Sequence, residues 1–205
     1  MINANADAMG IIFPNNYDKF VPELVSERLM ASIPFASRYR MIDFLLSSMV
    51  GCGIDKIEVL VRENYHSLVD HLGGGREWDL SRKNGGLSIF PPFAQKSIGS
   101  MGGGRVEALA NILPVLKKQK EKYVIMADTN IAANFDFNAL IAQHVKTDAD
   151  ITFAYTKEEL PQELTGAKDA SKGLYYTLKL DGDKVEDIYI NKQEQGVQNF
   201  SMNIY

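Results

Sequence analysis

The sequence predicts an α/β fold: a Rossmann-like, mostly parallel sheet flanked by helices, followed by a late β-hairpin. Three observations carry that expectation. Short β-branched or apolar runs at residues 9–13, 56–61, 123–126 and 150–155 alternate with amphipathic helical patterns, the rhythm of βαβ units. Tyr123-Val124-Ile125-Met126 is almost continuously apolar, as for a strand buried on both faces. Beyond about residue 156 the texture changes to strand, tight turn and strand.

Composition bounds the function. The 205 residues carry 22 basic and 26 acidic side chains, a net charge of −4, with 45% apolar content. A nucleic-acid binder would show a basic stripe, so no nucleic-acid partner is expected. The one cysteine, Cys52, sits at an apolar helix end and supports no intrachain disulfide. No basic segment precedes a leader-like apolar run, and no run approaches a membrane span. A cytoplasmic protein is the expectation.

In chain order, Met9-Gly10-Ile11-Ile12-Phe13 is the first strand, stopped by Pro14. A nucleotide-binding unit would place a glycine-rich loop next. Here Pro14-Asn15-Asn16-Tyr17-Asp18 stands instead, without a glycine. The basic, aromatic loop Ser37-Arg38-Tyr39-Arg40 then feeds a helix that Asp43 is placed to cap, with Phe44, Leu45, Leu46, Met49 and Val50 at helical spacing. That loop suits an anionic ligand, or is simply a solvated basic turn. Gly51 and Gly53 stop the helix ahead of the strand at 56–61.

Asn64 is placed to cap a helix through His71, with Leu68, Val69 and Leu72 as its buried stripe. His66 and His71 lack metal-site spacing and read as solvated helix residues. From 73 to 104 the chain is irregular apart from a short strand at 87–92, a length that usually marks a functional loop or lid. Gly102-Gly103-Gly104 lead into a helix at 106–119, with Leu109, Ile112, Leu113 and Leu116 on one face and Pro114 placed to bend it. Its N-terminus favours an anion, although a flexible hinge explains the glycines equally well. The strand at 123–126 ends in Asp128, at the carboxyl end where open α/β sheets bind ligands. Asp128 there holds a metal or hydroxyl, or only begins a turn. A helix at 137–145 follows, then the strand at 150–155 and the hairpin of 173–180 and 184–190 about Asp181-Gly182-Asp183. The last residues, 200–205, read as a strand in which the chain stops, as in a truncated fragment.

These residues resemble a known family. Ile33-Pro34-Phe35-Ala36-Ser37-Arg38-Tyr39-Arg40-Met41-Ile42-Asp43-Phe44-Leu45-Leu46-Ser47, with Arg28 ahead of it, looks like the ADP-glucose pyrophosphorylase (glucose-1-phosphate adenylyltransferase) pattern R-A-K-P-x-x-x-F-G-G-K-[FY]-R-[IL]-I-D-F-x-L-S-N. Gly104-Arg105-Val106-Glu107-Ala108-Leu109 stands for G-T-A-D-A-[VL], Ala127-Asp128-Thr129-Asn130 for G-D-H-[IL], Ile190-Asn191-Lys192 for [VF]-E-K-P, and Ser201-Met202-Asn203-Ile204-Tyr205 for S-M-G-[IV]-Y.

The resemblance implies ADP-glucose synthesis from ATP and glucose 1-phosphate for glycogen, with Mg²⁺ at Asp128. It also implies a sugar phosphate or anionic effector at Lys192, Arg38, Arg40 and Glu107. The departures fall on charge-stabilising positions. The family's G-G-x-G-T-R-L loop is replaced by Pro14-Asn15-Asn16-Tyr17-Asp18-Lys19-Phe20, its R-A-K-P lysine by Met30, its L-S-N asparagine by Ser48 and its E-K-P glutamate by Asn191.

That pattern resembles the family's regulatory-type subunit, which partners a catalytic one; no confident catalytic residue is assigned. Residues 1–205 then form a nucleotidyltransferase-like domain incomplete at its C-terminus, without the family's left-handed β-helix. An active nucleotidyltransferase with an altered loop, and a plain sugar-phosphate binding module, are the competing readings.

Overall fold

A computed structural model describes residues 7–14, 17–83, 85–91, 105–165 and 174–205. The chain forms two compact units, residues 1–141 and 142–205.

In the first unit four described strands make a parallel sheet in the order β5-β4-β1-β6. They are β1 (Ala8–Phe13), β4 (Lys56–Leu60), β5 (Gly86–Phe90) and β6 (Tyr123–Asp128). Strand alternation sorts their side chains onto two faces. Met9, Ile11, Phe13 and Leu60 pack with Ala108 and Ile112 of helix α4 (Arg105–Leu116). Gly10 faces the opposite way, where Met49 of helix α2 (Met41–Gly51) fills the space a Cβ would need. Helices therefore cover both faces, as expected.

Between these elements lie α1 (Pro22–Val25), the two-stranded β2 (Pro34–Phe35) and β3 (Tyr39–Arg40), and α3 (His66–Leu72). Helix α5 (Phe137–Thr147) carries the chain into the second unit. There an antiparallel sheet runs in the order β7-β10-β8-β9: β7 (Tyr155–Glu159), β8 (Tyr176–Asp181), β9 (Lys184–Ile190) and β10 (Val197–Ser201). The expected hairpin is β8–β9, turning where Gly182 takes φ +59°. No helix among the described residues is long and apolar enough to cross a membrane.

Several local expectations are corrected. Residues 151–154 are not a strand of the parallel sheet; Ala154 exchanges backbone bonds with Met202 and Ile204, and β5 takes the fourth parallel place. Tyr123-Val124-Ile125-Met126 lies in β6, at one end of the four described strands, and Val124 is 45% exposed, so this strand is not buried on both faces. Helix α2 begins at Met41, two residues before the expected cap, and Asp43 accepts instead from the Arg40 amide at 2.9 Å. Helix α3 starts at His66, while Asn64 adopts φ +51° and its amide donates to Val25 O. In α4, Leu113 faces solvent. The final strand is Val197–Ser201, earlier than residues 200–205. Gly102-Gly103-Gly104, and residues 92–104 of the expected lid, lie outside the described residues.

Candidate functional site at the carboxyl end of the parallel sheet

The in-register pairs of β1 and β6 end at Phe13 and Asp128, so the segments leaving the two strands emerge side by side. Pro14 follows β1 at once and brings no amide hydrogen. Thr129 Oγ1 donates to Pro14 O at 3.4 Å and ties the two segments together. Further along, the Asp18 carboxylate accepts from the Met30 amide at 2.8 Å, which ties residue 18 to the segment ahead of β2.

Asp128 is fully buried, and register explains its neighbour. It pairs with Phe13, and Met126 with Ile11, so Asp128 shares the sheet face that α4 covers. Arg105, Ala108 and Ile112 are spaced three and four apart along α4, on one helical stripe. Arg105 therefore extends over the sheet's carboxyl end. Its Nε donates to Asp128 Oδ1 at 3.2 Å and its NH2 to Oδ2, a fork gripping both oxygens. The helical spacing is visible in the sequence, but the partner of Arg105 follows only from the β1–β6 register and the face that α4 covers.

The Mg²⁺ implied at Asp128 does not fit these surroundings. The carboxylate is already gripped on both oxygens, and no group of three or more His, Cys, Asp or Glu side chains among the described residues is placed to hold a metal. Glu107 is half-buried in the first turn of α4.

The two arginines expected to share an anion serve different ends. Arg38 is exposed in the β2–β3 turn, with its guanidinium carbon 5.4 Å from the Tyr39 ring centre. Arg40 instead donates to Ser67 O and Ser67 Oγ, both at 2.7 Å, which fastens the hairpin to α3. A groove of 210 Å³ opens beside the hairpin, lined by Tyr39, Asp43, Phe44, Ser47, Ser48 and the 133–134 segment. Asp43 also meets His71, whose Nε2 lies 2.6 Å from its Oδ1, so His71 is not the solvated residue expected. The His71 ring packs edge-on to Trp78, and the Trp78 indole donates to Ser47 Oγ at 3.3 Å.

Two of the departures have local structural duties. Ser48 Oγ donates to Phe44 O at 2.7 Å and accepts from the Phe135 amide at 3.1 Å. Asn191 is buried at φ +52°, a conformation asparagine tolerates, and its Oδ1 accepts from the Tyr175 amide at 3.0 Å.

Lys192 belongs to the second unit. It borders a cavity of 320 Å³ with Thr177, Tyr189, Glu194 and Asn199. Its ammonium lies 3.7 Å from the Tyr189 ring centre and 2.6 Å from Glu194 Oε1. The hydrogen bond to Glu194 raises its pKa and keeps it charged.

The nucleotidyl transferase family matches residues 23–167. The glycogen biosynthesis protein GlgD of Geobacillus stearothermophilus is 36% identical over 151 residues, 72% of this chain and 43% of that protein. A glucose-1-phosphate adenylyltransferase of Thermomicrobium roseum is 35% identical over 133 residues, 64% of this chain and 31% of that protein. The chain thus spans less than half the length of these relatives. A crystal structure from Bacillus anthracis, described as a glucose-1-phosphate thymidylyltransferase in complex with a sucrose, shares the fold. It aligns with a TM-score of 0.66 at 14% identity, over 96% of this chain and 70% of that one.

Proposed function

We propose, since this chain belongs to the nucleotidyl transferase family, that it is part of a glucose-1-phosphate adenylyltransferase subunit serving glycogen biosynthesis. Its role there is regulatory, and its own catalysis is impaired. The names and identities of the relatives support the pathway. Joining ATP and glucose 1-phosphate into ADP-glucose and diphosphate depends on positioning and on offsetting charge at the reacting phosphates.

The observation that carries the impaired reading is the segment after β1. Pro14 brings no amide hydrogen, and Asp18 turns its carboxylate onto the Met30 amide. A triphosphate would need donors there. The neutral side chain of Met30 supplies none, and Arg105 is turned onto Asp128.

The surviving ligand is a sugar phosphate or an anionic effector. Lys192 is its foremost cation, on the cavity it shares with Tyr189 and Asn199, where a phosphate would displace the Glu194 carboxylate. Arg38 is exposed enough to join a second anion contact, whereas Arg40 fastens the β2–β3 hairpin to α3, and Glu107 stays a candidate contact in the first turn of α4. The partner is a catalytic homologue, and the location is the cytoplasm, in keeping with the relatives' glycogen-biosynthesis names.

The test measures ADP-glucose formation by the purified protein alone and mixed with an active glucose-1-phosphate adenylyltransferase subunit. Turnover should be negligible alone, while the mixture should differ from the active subunit by itself. Full turnover without a partner overturns the impaired reading in favour of an active enzyme. Isothermal titration with glucose 1-phosphate checks the ligand: Lys192→Ala should bind more weakly and melt at nearly the same temperature. Equal affinity of the two proteins, or tighter binding of ATP than of the sugar phosphate, overturns the assignment to Lys192.

A further inference from the structure

We propose that Arg105 is a resident cation on Asp128, standing where a divalent ion would bind, so that this chain takes up no divalent metal at that carboxylate. Asp128 closes β6 beside Phe13 of β1, at the carboxyl end of a parallel sheet, the place where such sheets engage ligands. Its side chain is 1% exposed, and that of Arg105 is 24% exposed. A guanidinium stays charged at every physiological pH and matches a carboxylate with two parallel donors. The pair is thus neutral overall and closed geometrically.

A magnesium ion would have to displace the fork, keep near-octahedral oxygen ligands at short distances and tolerate the guanidinium close by. Coulomb repulsion at such a range, through a protein-like dielectric, weakens a divalent ion by more than about tenfold. The placement of Arg105 has a further mark of specificity. A cation in the first turn of a helix opposes the helix dipole, and the buried carboxylate offsets that cost.

The inference stands on the Arg105–Asp128 geometry and is independent of the regulatory role. Manganese alone is the probe, with free Mn²⁺ followed by its electron paramagnetic resonance signal. The parent and Asp128→Asn should bind Mn²⁺ equally poorly. Arg105→Ala should gain a saturable site, tighter than the parent's by about tenfold or more. Adding Asp128→Asn to that variant should remove the site, and Arg105→Lys should keep it shut. A melting temperature that rises with Mn²⁺ in Arg105→Ala but not in the parent gives a second readout. Should Arg105→Ala fail to fold, Arg105→Gln retains a donor to Asp128 without the charge. Binding by the parent that is lost in Asp128→Asn overturns the proposal, as does an Arg105-neutral variant that binds no better than the parent. Negligible ADP-glucose synthesis leaves this result untouched, and tight Mn²⁺ binding by the parent leaves the regulatory assay untouched.

Discussion

Replacing Gly86 by alanine tests how tightly β5 is built onto the sheet. Gly86 opens β5 at φ +84°, and its amide donates to Asp55 O at 2.7 Å, so the backbone is held where it is. A Cβ there would collide with the Leu80 carbonyl oxygen and lie 3.3 Å from the Arg82 amide nitrogen. Both obstacles are main chain and cannot rotate aside. The left-handed backbone costs an L-residue about 1–2 kcal/mol. Forcing a methyl into filled space adds about 1–3 kcal/mol. Together they remove roughly 2–5 kcal/mol, a large share of a typical domain's stability.

Urea unfolding reads this directly, with the single tryptophan, Trp78, as a probe inside the same unit. With a slope near 2 kcal/mol per molar urea, the midpoint should fall by about 1–2.5 M with the slope unchanged. A fall of under about 0.5 M would mean that Leu80 yields without cost, and the close-approach reasoning is wrong.

Two further changes probe buried polar groups. Glu58 is 3% exposed, its Oε2 has no hydrogen-bond partner among the described residues, and burial raises its pKa above the ordinary 4.5 despite the opposing Ser88 hydrogen bond and Lys56 charge. The folded protein therefore holds the Glu58 proton more tightly than the unfolded chain. That contribution is complete below 4.5 and fades as pH rises through the folded value. Glu58→Gln should thus gain on the parent as pH rises above 4.5, in paired thermal melts; a pH-independent difference counts against it. Asn191→Ala removes the acceptor of the buried Tyr175 amide and leaves an alanine at φ +52°. A loss of about 2–3 kcal/mol is expected in chemical unfolding, and a loss near zero refutes the structural role.

The sheet was legible wherever a local pattern matched a local cause. The apolar run at Met9–Phe13 and the β-branched strand after Gly53 were both readable, because burial on both faces writes itself into composition. Residues 150–155 misled because their β-rich composition does not specify a partner, and Ala154 meets Met202 and Ile204 instead of the parallel sheet. Asp128 was legible as a strand-end carboxylate. Its partner was not, since the pairing depends on β1–β6 register and on which face α4 covers, neither of which is local. His71 and Arg40 were missed likewise: each is absorbed by a residue 27 or 28 positions away, Ser67 for Arg40 and Asp43 for His71.

The approach of Met49 to Gly10 carries a consequence for how this protein can change over generations. The methionine sulfur would lie 2.7 Å from any Cβ at position 10, so two residues on different elements share a single volume. A Cβ gained on β1 obliges the far end of the Met49 side chain to shift, and a methionine can do so by turning its terminal bonds. Lineages that keep a glycine in mid-strand are thereby free to keep a long residue on the helix, and those that give up the glycine favour a pliable or shorter neighbour there. The record of such paired exchanges would be written in descendants, at positions 10 and 49 together, far from any residue that touches a ligand.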